Sequence, residues 1–258
     1  MTYPLTIKSL YSGSKGNCLF VKSERARILV DAGKSARNLV SVLESIGESI
    51  CDIDAIFITH EHTDHVSALA TISKHYHIPI HAPTLSVRAL DRRFDGLFDC
   101  LVPHTHVFEE RVGDITISSF LTSHDAVSAV GYKFSTDDGF EAGIMTDTGI
   151  VTNASAAALV GCSAVVLESN HDLNMLEHGP YPDHLKARIA GRYGHLSNDT
   201  AARFAAYLAD NGTEHILLAH LSEDNNTPAL AYETVAKALE GKNCTLAVAG
   251  QYAVATLI

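Results

Sequence analysis

AIFITHEHTDHVSAL, residues 55–69, sets a short apolar run directly against three histidines, a glutamate and an aspartate in six positions. The apolar part has the length and β-branched content of a buried strand. Beyond it alternate side chains share a direction, so His60 and His62 can grip one metal ion. Asp64 and His65, where the chain turns into a helix, can reach a second position nearby, and Glu61 then faces away. A solvated polar loop has no need of four ligand-type residues at this spacing, so HxHxDH reads as a metal motif.

Further ligands are expected at other strand ends. FLTSHDA puts His124 just past an apolar strand, GIMTDTG puts Asp147 at another, and HILLAHLSEDNN puts His220 after a third. Singly, each would be an ordinary core or loop polar residue; together they repeat one arrangement. His60, His62 and His124 are expected to hold one ion, Asp64, His65 and His220 a second, with Asp147 between them. Nitrogen and oxygen donors without thiolate suit Zn or Mn. Two such ions roughly 3.5–4 Å apart can share a hydroxide nucleophile and clamp phosphoryl oxygens, so the expected chemistry is metal-activated hydrolysis with two divalent ions, Zn or Mn.

The whole chain bounds this reading. Its 258 residues, 46% of them hydrophobic, can bury a large core, and we expect one domain over residues 1–258. The start, MTYPLTIKSL, lacks a basic region followed by a long apolar run, and no stretch approaches the roughly 18 apolar residues of a membrane span, so no membrane partner is expected. Five cysteines, odd in number, far apart and without a CxxC pair, suggest neither a disulfide framework nor a thiolate zinc site and fit a reducing cytoplasm. A net charge of −11 argues against a protein that coats nucleic acid electrostatically, while a local cationic site or bound metal can still attract phosphate.

Along the chain, LTIKSLYS, NCLFVKS, RILVDAG and DAIFIT read as strands with a helix SARNLVSVLESIG between them, followed by PIHA and a helix carrying Arg88, Arg92 and Arg93. Three strands follow, DITISSFLTS, AVGYKFST and FEAGIMTD; then β and α alternate to a terminal pair, TLAVAG and YAVATLI. Each half runs strands first and helices after, which is compatible with two face-to-face sheets covered by helices.

The motifs THEHTDH, SHDA, TDTG and AHLS resemble, in order and in strand-end setting, the successive metal motifs of the metallo-β-lactamase superfamily. DAG, with Asp31, resembles its first motif, an aspartate that supports the metal loop from behind. The resemblance covers essentially the whole chain. It implies an α/β (α+β) fold, the four-layer αββα sandwich, and hydrolysis without specifying a substrate. A dizinc β-lactamase would carry cysteine where Asp147 stands. The β-CASP nuclease cap has no room in the 73 residues from Asp147 to His220, and the glycine- and proline-rich arm of transfer-RNA 3′-processing enzymes is missing.

YGHLSNDTAARFAAYLADNGTEHILLAHLS, residues 193–222, resembles the HxS/T motif and following helix of the ribonuclease Z-like phosphodiesterases. This implies that His195 protonates the leaving oxygen and that Glu168, in VVLESNHD, orients it; Asp64, as a metal ligand, joins them among the catalytic residues. SGSKGN, ESNHD and GPYPDHLKARIAGRYGHLSN resemble the narrower bacterial YycJ/WalJ family, which implies 5′-to-3′ exonuclease action on DNA rather than RNA. Substrate contacts are then expected from Ser12, Ser14 and Asn17, from Lys186 and Arg192 with Arg188 between them, and from Ser197 and Asn198, one of which also caps the helix. His171 and His184 flank these segments, whereas Arg88, Arg92 and Arg93 read as a solvated helix face. A small-molecule phosphodiesterase or lactonase would use the same metals. A non-catalytic adaptor in envelope signalling would have little physical reason to keep seven costly ligand candidates.

Overall fold

Strands buried on both faces read as unbroken apolar runs, and the computed structural model, which describes residues 3–94 and 99–258, assembles such runs into two sheets. The first contains β1 (Thr6–Tyr11), β2 (Cys18–Lys22), β3 (Arg27–Val30), β4 (Ala55–Phe57), β5 (Ile80–Pro83) and β6 (Leu101–His104). The second contains β7 (Glu109–Val112), β8 (Ile115–Leu121), β9 (Val130–Thr136), β10 (Glu141–Met145), β11 (Ala164–Glu168), β12 (His215–Ala219) and β13 (Thr245–Val248). A last strand, β14 (Ala255–Thr256), returns to the first sheet and pairs antiparallel with β1. The strand orders are β14-β1-β2-β3-β4-β5-β6 and β13-β12-β11-β10-β9-β8-β7.

Strands β3 to β6 are parallel, as are β10 to β13, and parallel neighbours require crossovers, most of which helices supply here. On the first sheet these are α1 (Ala36–Ser45), the short α2 (Thr63–Val66), α3 (Leu69–Tyr76) and α4 (Thr84–Arg93). On the second they are α5 (Asn153–Leu159), α6 (Leu173–His178), α7 (Asp183–Ile189), α8 (Asn198–Asp210) and α9 (Pro228–Ala238). Capping follows the sequence: Ser35, Ser197 and Thr227 each accept a backbone N–H at the start of α1, α8 and α9.

Side-chain alternation sorts the layers. On β3, Leu29 packs outward with Leu39, Leu43, Leu69 and Ile72. Ile28 and Val30 point inward, joining Ile117, Tyr132, Ile144 and Val166 between the sheets. On β12, Leu217 joins that central cluster, while Ile216 and Leu218 meet Phe204, Leu208 and Val235 from the covering helices. Three apolar clusters thus separate four layers, αββα, with roughly 1.5–3 kcal/mol from each large apolar side chain fully withdrawn from water. Among the described residues no helix is long and apolar enough to cross a membrane.

The sequence reading passed over β6 and β7. Both are edge strands: LVPH carries a proline, and EERV leaves alternate residues in solvent. The two terminal stretches do not pair with each other; β13 extends the second sheet and β14 the first.

Candidate metal centre

Parallel strands deliver their carboxyl ends to one rim, and the candidate residues lie there. Asp31 follows β3, His60 follows β4, Asp147 follows β10, Glu168 ends β11 and His220 follows β12. β8 runs in the same direction as β10 and brings His124 to that rim. Three of these residues turn the chain sharply: Asp31, Asp147 and His220 have φ of 64°, 54° and 57°, left-handed values that cost a non-glycine residue energy and recur where a side chain must be aimed.

The loop between β4 and α2 is fixed on every side. The Tyr132 hydroxyl donates to the Ile58 carbonyl at 2.6 Å, and Glu61 faces away from the cluster to accept the Val127 N–H at 2.9 Å. Arg93 donates to Thr63 Oγ1 at 2.6 Å. Asn17 N–H donates to the Asp64 carbonyl at 2.8 Å, and Gly33 packs so close that a Cβ there would lie 1.5 Å from that same oxygen.

Five imidazoles converge, each with Nδ1 held from behind. His65 donates from Nδ1 to Asp31 at 2.8 Å, and His60 to Thr59 Oγ1 at 3.0 Å, which itself donates to Asp31 at 2.9 Å. His124 donates to the Gly194 carbonyl at 3.1 Å. His195 and His220 both donate to Glu168 Oε1, each at 2.8 Å. Every one of these rings therefore turns Nε2 away from its anchor, the tautomer and orientation that metal-binding imidazole needs. His65 Nε2 lies 3.3 Å from Asp64 and 3.4 Å from Asp147, His220 Nε2 lies 3.7 Å from Asp64, and His124 Nε2 lies 3.3 Å from His62 Nδ1. Donors around one tetrahedral ion with bonds of about 2.1 Å stand roughly 3.4 Å apart.

Two atoms decide whether an ion fits: His60 Nε2 and Asp147 Oδ2 are buried and have no hydrogen-bond partner. A buried polar atom without a partner costs about 1–3 kcal/mol, and a cation among these donors removes that cost. Donor atoms of His60, His62 and His124 lie within 4.8 Å of one another, as do those of Asp64, His65 and His220. Asp147 stands between the groups, with Oδ1 3.7 Å from His124 and Oδ2 toward His65.

The electrostatics are polarised. Burial, reinforced by its histidine neighbours, pushes His60 well below the usual imidazole range. Burial acts the same way on His65 and His220, but the surrounding carboxylates outweigh it, raising His65 and taking His220 up to about 10. Glu168 is fully buried, yet His195 and His220 hold its carboxyl below the normal range; the backbone N–H groups of Thr148 (3.0 Å) and Leu196 (3.1 Å) occupy its second oxygen.

A family model described as the beta-lactamase superfamily domain matches residues 26–221, the span that contains every residue of this cluster. The chain belongs to the metallo-β-lactamase superfamily. The Exodeoxyribonuclease YycJ of Bacillus anthracis is 37% identical over 238 residues, covering 90% of this chain and 88% of that protein. The Exodeoxyribonuclease WalJ of Streptococcus pneumoniae is 36% identical over 235 residues, covering 89% and 86%. Among solved structures, the metallo-beta-lactamase fold protein YhfI of Bacillus subtilis superposes with a TM-score of 0.74 at 16% identity, over 99% of this chain and all of that one, and so shares the fold. The superfamily's fold together with the His/Asp clusters points to divalent metal binding.

Around this rim the residues expected to touch substrate divide. Ser14 lines the cavity of about 190 Å³ over the cluster, beside Arg188 and His195. Ser12 and Asn17 are buried instead: Ser12 Oγ donates to Asn17 Oδ1 and accepts the His220 N–H at 2.8 Å, and Asn17 Nδ2 approaches Asp64 at 3.3 Å. They brace ligands. Asn198 exchanges two amide hydrogen bonds with Asn226, both 2.9 Å, inside the protein and away from the cavity. Ser197 is the cap of α8 and reaches a neighbouring cavity that also contains His171 and His195. Lys186 donates to the Glu177 carbonyl, and neither it nor the exposed Arg192 lines the cluster's cavity; His184 is likewise exposed on α7.

Sequence reasoning missed Tyr181, Asn170, Ser222 and Asp125. The first three line the cavity, and Asp125 pairs with Arg188 at 2.5 Å. The clue to Asp125 was its place beside His124. The sequence also treated Glu168 as the partner of His195 alone, whereas it orients His220 as well.

Proposed function

We propose that this chain is a metal-dependent phosphodiesterase that degrades DNA from the 5′ end, working in the cytoplasm as one domain over residues 1–258 with two divalent ions, Zn or Mn. The single observation that carries the reading is the Glu168 carboxylate, one oxygen of which anchors both His220, in the donor cluster, and His195, at its solvent edge. A metal hydrolase acting on an activated small molecule needs the cluster alone. A phosphodiester also needs a proton for a poor leaving group, and His195, part exposed and directed by Glu168, is positioned to give one. The names of the YycJ and WalJ relatives support DNA as the polymer.

In this reading His60, His62 and His124 would hold one ion and Asp64, His65 and His220 the other, with Asp147 between them. The bound ions would supply an activated water and electrostatic relief for the phosphoryl oxygens. The chain's own groups do the rest. Asp31 and Glu168 fix the imidazoles from behind, Ser14 and Arg188 meet the phosphodiester, and His195 passes its Nε2 proton to the departing sugar oxygen while its Nδ1–H stays on Glu168.

The test is digestion of 5′- and 3′-labelled single- and double-stranded DNA, and of matched RNA, by Mn- and Zn-loaded protein, with Asp147→Ala as blank. Progressive loss from the 5′ end of DNA, missing in the blank, is the expected result. Intact polymers alongside cleaved bis-p-nitrophenyl phosphate would reassign the substrate to a small phosphodiester.

A further inference from the structure

Beside the candidate metal centre, across the turn Ser12–Asn17, lies a second cavity of about 390 Å³ that the mechanism does not use. Tyr11, Lys34, Arg37, Asn38 and Tyr252 line it, and no carboxylate does among the described residues, although the chain's net charge is −11. The Lys34 ammonium stands 4.4 Å from the centre of the Tyr252 ring and 4.8 Å from that of Tyr11, and donates to the Gln251 carbonyl at 2.7 Å. Tyr252 is 75% exposed, so the ring face away from Lys34 is free. Lys34 and Arg37 thus stand beside an exposed aromatic face, with no acidic group in the described walls to repel an anion.

We infer that this cavity is a binding subsite for single-stranded DNA, with a base stacked on Tyr252 and a backbone phosphate between Lys34 and Arg37. An exposed aromatic face next to cations is what single strands are held by, irrespective of sequence. One turn borders both sites: a Cβ on Gly16 would strike the Lys34 side chain at 2.5 Å, one on Gly13 would touch Gln251 at 3.5 Å, and Ser14 between them lines the metal cavity. A strand held at the metals therefore needs to cross only this turn to reach Tyr252. The inference rests on the phosphodiesterase reading and deepens it, because it assigns the place where the polymer, as opposed to the scissile phosphate, is gripped.

The experiment is fluorescence anisotropy of a labelled oligothymidylate with the full chain under chelation, which prevents cutting, alongside metal-loaded turnover of bis-p-nitrophenyl phosphate. Tyr252→Ala is expected to weaken oligonucleotide binding about ten-fold, with unchanged turnover of the small substrate and near-wild-type binding by Tyr252→Phe. Arg37→Ala should lower the dependence of log affinity on log salt by about 1. Wild-type-like binding and DNA digestion by both alanine variants would overturn the subsite and leave the nuclease reading intact. Failure of the wild type to bind or cut any oligonucleotide while still cleaving the small diester would overturn both.

Discussion

Replacing Glu168 by glutamine turns one carboxylate oxygen into an NH₂ group and changes the shape hardly at all. The carboxylate accepts four N–H groups: Oε1 takes His195 and His220, and Oε2 takes Thr148 and Leu196. An amide accepts on one atom only. If its oxygen faces the imidazoles, two buried backbone donors lose their acceptor and meet another donor; if it faces the backbone, the imidazoles do. At about 1–3 kcal/mol for each stranded donor, less some relaxation, Glu168→Gln should cost about 3–5 kcal/mol. That is a large part of the 5–15 kcal/mol typical of a domain. The variant should also bind metal about 10–100-fold more weakly, since His220 loses its orienting partner. Urea denaturation of the metal-free protein reads the first quantity, and titration against a chromophoric chelator reads the second. A variant within 1 kcal/mol of wild type with unchanged metal affinity would refute the shared-anchor argument, whatever its turnover.

His195→Ala should keep its metal and lose about 10²–10⁴ in rate on DNA, measured at saturating Mn; loss of metal instead would make His195 a ligand. Gly33→Ala should displace the loop at Asp64, because its Cβ would fall 1.5 Å from the Asp64 carbonyl oxygen, and should lower metal affinity at least ten-fold in the same chelator titration. Away from the cluster, burial takes the His81 imidazole down to about 4, beside His104, to which it is hydrogen-bonded at 2.9 Å. The unfolded chain then takes up the proton first, so the contribution of His81 to stability is complete above about pH 6.5 and falls by about 3 kcal/mol as pH drops toward 4. His81→Phe, whose ring can stack on Phe57 as His81 does, should flatten that slope in urea midpoints; an unchanged slope would show that His81 does not cause it.

The donor cluster was legible because parallel strands bring residues distant in sequence to one rim, so a histidine or aspartate within three residues of the end of an apolar strand already has an address. Asp31, His60, Asp147 and His220 all follow that rule. Small polar residues carry no such address. Ser12, Asn17 and Asn198 looked like surface hydrogen-bonders, yet their partners, His220, Asp64 and Asn226, come from segments that only the tertiary structure brings near. The cation positions were ambiguous for a related reason: on the short α7, Arg188 lines the cavity and Lys186 does not, a difference of half a turn that YPDHLKARIAGRY does not reveal. β6 and β7 escaped because an edge strand needs only one protected side, and Pro103 and the charged EERV satisfy that condition without an apolar run.

Asp31, Asp147 and His220 stand on backbone that glycine would hold with less strain. A lineage that no longer needed hydrolysis would be free to relax this strain, but only together with the buried partners, since Asp31 accepts from His65 and Thr59 and His220 donates to Glu168. Decay of the activity should become visible in descendants at these three positions before it reaches the apolar clusters. Reading them in a newly sequenced relative distinguishes a working hydrolase from a retired one before either is purified.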